Sequence, residues 1–179
     1  MLVLVGPSAS GKTWVAQSLI KDYNMKKMVT YTTRPMRPGE VNGKDYHFIS
    51  KEEFQKKVDE KFFLEHVTYN DNFYGTSFAE ISDDKVVILE PTGLKQYLKL
   101  IPEKLTVIFL RCSREIVRIR MMQRGETLEG ALKRLDLDEK VFTKDIENLA
   151  DYVIDTSSSN VVAVTKKVYA LYENRIRKN

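Results

Sequence analysis

A chain of 179 residues, 42% hydrophobic and 30% charged, is long enough to bury one core and has an ordinary globular composition. Its formal charge of +4, from 29 basic against 25 acidic residues, is too slight and diffuse for a nucleic-acid surface but suits small polyanionic ligands. A single cysteine, Cys112, excludes an internal disulfide, and no apolar run has the length of a membrane span, so a cytoplasmic protein without nucleic-acid or membrane partners is expected.

The first element is the apolar run Leu2–Val5, too short for a signal peptide and read as a buried strand. Gly6-Pro7-Ser8-Ala9-Ser10-Gly11-Lys12-Thr13 follows and matches G-x-x-x-x-G-K-[ST]. A helical pattern over 13–22, with Val15, Leu19 and Ile20, completes the strand, loop and helix that this phosphate-binding motif requires. Glycines let backbone N–H groups turn inward around phosphate oxygens, and the helix N-terminus adds the positive end of its dipole. Lys12 is expected to bridge the β- and γ-phosphates of a nucleoside triphosphate, and the Thr13 hydroxyl to bind Mg²⁺. Trp14 either lines the adenine or ribose side of that site or packs in the core.

A second strand is predicted over 28–31, after which the pattern changes. Short strands at 45–49, 63–69 and 73–76 surround one helix at 51–60, which reads as a mixed or antiparallel insertion. Arg34 and Arg37, three apart on a loop stiffened by Pro35 and Pro38, form a fork suited to a phosphate. Glu65 ends the run Phe62-Phe63-Leu64, and Tyr74, Thr76 and Ser77 supply a phenol and two hydroxyls. Beyond the insertion, strands at 86–89, 107–110 and 152–154 alternate with helices at 92–100, 113–123, 128–147 and 161–175. Such alternation predicts a parallel sheet sandwiched by helices. Ser113 and Thr127 are placed to start two of these helices, and Gly125 to end one. Cys112, directly after an apolar strand, is assigned a packing or loop-edge role rather than a nucleophilic one. Arg118, Arg120 and Arg124 form a basic cluster, with Arg134 ten residues after Arg124. His47 and His66 are isolated, so no zinc site is expected.

Three ordered motifs behind the phosphate loop complete the pattern: Thr32-Thr33-Arg34 with Arg37, Gly39 and Glu40; Gly43-Lys44-Asp45-Tyr46-His47-Phe48; and Glu65 nine residues before Tyr74-Gly75-Thr76. Together they resemble guanylate kinases over nearly the whole chain. The resemblance implies an α/β fold, a P-loop parallel sheet flanked by helices, with a small mixed α/β nucleoside-monophosphate-binding insertion and a helical lid. It places the core at 1–31 and 78–179, the insertion at about 32–77 and the lid at about 118–140. The implied ATP site is Gly6, Pro7, Ser8, Ala9, Ser10, Gly11, Lys12, Thr13 and Trp14, with Mg²⁺ on Thr13. Lys12, Arg120, Arg124 and Arg134 would be catalytic. GMP, or dGMP, would meet Thr30, Arg34, Arg37, Glu40, Tyr46, Glu65, Tyr74, Thr76 and Glu90.

The chemistry of Glu65 suits that role. Guanine offers two adjacent donors, N1–H and the 2-amino group, whereas adenine presents a lone pair at N1. The chain departs from the family at Ile88, where an acid is usual, while Glu90 keeps the second acid of that motif. Ala9 replaces a common glycine and is expected to keep φ below zero. The alternative is a noncatalytic guanylate kinase-like interaction domain, whose phosphate loop would be degraded; here Lys12 and Thr13 are intact. Monomer and homodimer are both compatible with the sequence.

Overall fold

Every residue of Leu2-Val3-Leu4-Val5 is buried, as a strand covered on both faces requires. The computed structural model describes residues 1–69, 71–158 and 160–177. In chain order its elements are β1 (Leu2–Val5), α1 (Lys12–Asp22), β2 (Lys26–Lys27), β3 (Tyr31–Thr32), β4 (His47–Phe48), α2 (Lys51–Asp59), β5 (Phe63–Tyr69) and β6 (Asn72–Ser77). They continue with β7 (Lys85–Ile88), α3 (Pro91–Leu100), β8 (Thr106–Arg111), α4 (Arg114–Gln123), α5 (Leu128–Val141), α6 (Lys144–Glu147), β9 (Tyr152–Asp155) and α7 (Val161–Ile176). Two units result: Met1–Lys26 with Val86–Asn179, and Lys27–Lys85.

The first unit is built on the sheet ordered β2-β7-β1-β8-β9. Its strands β7, β1, β8 and β9 all run parallel. Leu2, Leu4, Ile108 and Leu110 pack with Val15 and Leu19 of α1 and Val164, Val168 and Tyr172 of α7, forming the main core. The parallel, helix-flanked sheet is the one the alternating pattern predicts. Thr127 caps α5 by accepting from Gly130 N–H at 3.1 Å, and Asn160 caps α7 by accepting from Ala163 N–H at 2.9 Å. Helices α4 and α5 share their own small core of Val117, Met121, Ala131 and Leu135, with Ala9 and Cys112 packed against it.

Two expectations are corrected. The run over 28–31 is not a core strand. Met28 and Val29 are buried, yet only Tyr31 enters a strand, pairing with His47 and Gly75 in the second sheet. The Val29 N–H donates to a Glu80 carboxylate oxygen at 2.9 Å, a side chain replacing a ladder partner. The single helix expected over 128–147 is two, because Phe142 leaves helical geometry at φ −95°, ψ 60° and Thr143 restarts the chain as α6.

The second unit carries the mixed sheet ordered β4-β3-β6-β5. Strands β3 and β4 are parallel; the β3–β6 and β5–β6 pairs are antiparallel. Helix α2 starts at Ser50, whose hydroxyl accepts from Glu53 N–H, and lays Phe54 on Phe63 with ring centroids 4.5 Å apart. Gly75 is required here, since a Cβ would lie 2.9 Å from the Phe63 ring and 3.0 Å from that of Phe54. Among the described residues, no helix is long and apolar enough to cross a membrane.

Candidate active site

The phosphate loop joins β1 to α1. At Gly6, φ is +147° and a Cβ would sit 2.3 Å from the carbonyl oxygen of Leu110, so the loop's exit from the sheet admits only glycine. Gly11, at φ +100°, begins α1. Ala9 departs from expectation: its φ is +52°, in the left-handed region. That conformation costs a residue with a Cβ roughly 1–2 kcal/mol. Two contacts offset the cost. The Ala9 carbonyl accepts from Arg120 Nη1 at 3.2 Å, and its side chain packs on the α4–α5 core.

Lys12 Nζ donates to the carbonyls of Gly6 and Pro7 at 2.6 and 2.7 Å and stands 5.9 Å from the centre of the Phe142 ring. Burial holds its ammonium below the usual lysine range; the Glu90 and Asp138 carboxylates pull the other way, and Arg124 adds to the lowering. Thr13 is exposed on the first turn of α1, and its hydroxyl has no protein partner among the described residues. Trp14 is 58% exposed, which removes the core-packing alternative. It lines a cavity of about 470 Å³ with Ser10, Gly11, Arg120, Arg124 and Asn160.

The expected catalytic arginines differ in their engagement. Arg120 spends its donors on protein: Ala9 O, the Thr156 hydroxyl at 3.3 Å, the Thr156 carbonyl at 2.7 Å and the Cys112 sulfur at 3.4 Å. Arg124, at the end of α4, is exposed and lines the Trp14 cavity. Arg134 is 54% exposed and bound to Glu126 at 3.0 Å. Glu90 precedes α3, exposed and close enough to Lys12 to act on it electrostatically. Ile88 ends β7 with its apolar side chain 36% exposed.

Sequence reasoning missed Asp138 and Thr156. Asp138 Oδ2 accepts from the Ser8 N–H at 2.7 Å, and the Thr156 hydroxyl donates to the Ser10 carbonyl at 2.9 Å. Neither residue belongs to a motif; only the packing of α5 and the turn after β9 brings them to the loop.

In the second unit, Glu40 organises the arginine fork. One carboxylate oxygen accepts from Arg34 Nη2 at 2.6 Å, the other from the Arg37 backbone N–H at 2.7 Å. These bonds, the Arg34 one first, hold the Glu40 carboxyl below its ordinary range. The Arg34 guanidinium lies 5.5 Å from the Tyr46 ring and 5.6 Å from that of Phe48, while Tyr46 and Tyr74 are 6.1 Å apart. Thr32 fixes the start of the loop, donating from its hydroxyl to Phe73 O and accepting from Arg34 N–H. Glu65 is paired across the strands with the buried Thr76, so both side chains share one face; Tyr74, two residues from Thr76, shares it too. Thr30, half-buried, accepts His47 N–H on its carbonyl. The structure thus gathers Thr30, Arg34, Arg37, Glu40, Tyr46, Glu65, Tyr74 and Thr76 in one unit, and the loop, the three arginines and Glu90 in the other.

The family model described as guanylate kinase matches residues 1–170. A guanylate kinase of Clostridioides difficile is 32% identical over 189 aligned positions, covering 94% of this chain and 92% of that protein. One from Hydrogenovibrio crunogenus is 38% identical over 141, covering 75% of this chain and 69% of its own. Among solved structures, the guanylate kinase of Anaplasma phagocytophilum aligns over 97% of this chain and 84% of its own, with a TM-score of 0.62 at 24% identity, a likeness of fold. By its sequence, the chain belongs to the guanylate kinase family.

Proposed function

We propose that the protein transfers the γ-phosphoryl group of ATP to GMP, and to dGMP as a second acceptor. The observation that carries this reading is the Arg34–Glu40–Arg37 fork, built around one carboxylate in the same unit as Glu65. A monophosphate oxygen pair suits the fork, and the guanine N1–H and 2-amino donors suit Glu65. Adenine would leave that carboxylate facing a lone pair, a mismatch that can discriminate by up to about 10⁴–10⁵-fold.

In the reaction, the bond from the γ-phosphorus to the ADP oxygen breaks as one forms to the GMP 5′-phosphate oxygen. Catalysis is then mostly positioning and charge. Lys12 is already poised by the loop carbonyls and is to neutralise the β- and γ-phosphates. Arg124 and Arg134, the exposed pair, are to meet the equatorial oxygens of the transferring group. Tyr46 and Tyr74 orient the acceptor phosphate beside Arg34.

Mg²⁺ fits the residues present. Such an ion keeps its waters and uses few protein oxygens beside substrate phosphates, and the exposed Thr13 hydroxyl offers one. Among the described residues, no group of three acidic, histidine or cysteine side chains forms a dedicated cage. When bound with ATP, the ion would offset charge on the β- and γ-oxygens. The reading needs no nucleic acid or membrane, accommodates a monomer or a homodimer, and suits the cytoplasm.

A coupled assay of diphosphate formation from ATP with GMP, dGMP, AMP, UMP and CMP tests the proposal. Absence of GMP turnover by folded protein rejects it. Glu65→Gln should erode discrimination between GMP and AMP by at least about tenfold; unchanged selectivity would remove Glu65 from the guanine site.

A further inference from the structure

The direction of a backbone N–H is set by the carbonyl of its own peptide, because in a planar trans peptide the two point to opposite sides. Two successive carbonyls of the phosphate loop are gripped by side chains from elsewhere in the fold. Arg120 Nη1 holds Ala9 O at 3.2 Å, and the Thr156 hydroxyl, which also reaches Arg111 O at 3.2 Å, holds Ser10 O at the shorter 2.9 Å. Arg120 and Thr156 also hold each other, through Nη2 to the Thr156 carbonyl at 2.7 Å and Nη1 to its hydroxyl at 3.3 Å. The grip on Ser10 O turns the Gly11 N–H the opposite way. That N–H has no protein partner among the described residues and opens α1, where phosphate oxygens are received.

The grip on Ala9 O answers a second need. Ala9 stands at φ +52° despite its Cβ. A carbonyl fixed by a guanidinium supplies a restraint for that conformation. Thr156 is 3% exposed and Arg120 is half-buried, so the pair forms an interior clamp.

We propose that Thr156 and Arg120 are positioning residues of the phosphate loop: together they aim the Gly11 N–H and hold Ala9 left-handed, so that Arg120 serves ATP through the loop. This deepens the reading of the loop as the ATP site and rests on it.

Steady-state kinetics with ATP and GMP, and calorimetric titration with ATP and with inorganic tripolyphosphate, test the clamp. Thr156→Val removes the hydroxyl at nearly constant volume. It should raise the KM for ATP and weaken tripolyphosphate binding, each roughly five- to tenfold, with the KM for GMP unchanged. Thr156→Ser should recover most of the loss. Arg120→Lys, which keeps the charge but not the fork, should weaken ATP as Thr156→Val does, and the double variant should fall little further than either single. Ala9→Gly should soften the effect of Arg120→Lys, since glycine accepts positive φ unaided.

If Thr156→Val shifts only the melting temperature, with ATP affinity within twofold of the parent, the clamp is overturned as a positioning device. If Arg120→Lys lowers kcat alone and combines multiplicatively with Thr156→Val, Arg120 acts on the transferring group itself and the proposal is again overturned. Lys12→Ala separates the two levels. Its loss of ATP binding beside a silent Thr156→Val rejects the clamp and keeps the ATP site; undiminished ATP binding by Lys12→Ala rejects both.

Discussion

Replacing Asp138 with asparagine should make ATP bind more tightly while making the unliganded protein less stable. The carboxylate accepts the Ser8 N–H at 2.7 Å, within the loop whose amides are expected to receive phosphate oxygens, and it acts electrostatically on Lys12. An incoming triphosphate therefore meets a resident negative charge. Hydrogen bonds to charged groups are worth about 1.5–3 kcal/mol net. Asparagine keeps an oxygen for Ser8 and loses the charge, so the change should be near the lower end, about 1.5 kcal/mol, or a little over tenfold in the ATP dissociation constant. Helix α5 retains Ala131 and Leu135 in its own core, so it should stay docked. Loss of the charged bond should lower the melting temperature by about 2–4 °C per kcal/mol. Trp14 is the chain's single tryptophan and lines the cavity next to Ser10 and Gly11 of the loop, so its fluorescence under ATP titration at fixed ionic strength reports binding directly. Weaker ATP binding together with lower stability would mean that Asp138 only braces the loop, and the reasoning from charge would fail.

Trp14→Ala should weaken ATP by about 1–3 kcal/mol, the usual value of a base stacked on an aromatic ring. Inorganic tripolyphosphate, which has no base, should bind as before; equal losses for both ligands would place the indole away from the base. Gly6→Ala forces a Cβ to 2.3 Å from Leu110 O in the sheet, where neither partner can yield as a side chain would. Strain plus overpacking of upward of ~3 kcal/mol should lower the melting temperature by about 6–12 °C, and a shift below 2 °C would contradict the loop geometry. Glu40, held low by Arg34 and the Arg37 N–H, gives stability that is complete above its unfolded pKa and lost as pH falls through its folded value. Acidification below the ordinary glutamate range should therefore free the arginine fork and raise the KM for GMP in the parent more than in Glu40→Gln; parallel profiles would assign the fork another anchor.

Most of the sheet could be read from the chain because its signals are local. β1, β7, β8 and β9 are short apolar runs set between helical segments, and in β1 and β8 burial on both faces leaves few other options. The loop and the arginine fork were legible for a similar reason, each being a contiguous motif, whereas the pairing of Glu65 with Thr76 is a strand register that the structure supplies. The run at 28–31 misled because apolarity reports burial and not ladder pairing; Glu80, fifty-one residues later, takes the Val29 N–H. Ala9 misled in a related way. A residue's own preference argued for negative φ, whereas Arg120, 111 residues away, grips its carbonyl.

The missed residues share one property. Asp138 and Thr156 meet the loop at sequence separations of 130 and 146, and each contributes a single polar group to a backbone atom. Such contacts impose no periodicity and no spacing, because a backbone N–H or carbonyl is the same at every residue. Motif reading finds side chains that act on a ligand, whose chemistry demands particular residue types. It is blind to side chains that act on the backbone, where any donor or acceptor delivered by the fold will serve. A phosphate loop is almost entirely backbone. Its tuning therefore lies in Asp138, Thr156 and the inward turn of Arg120, and substitutions there should change ATP affinity with little effect on how GMP is recognised.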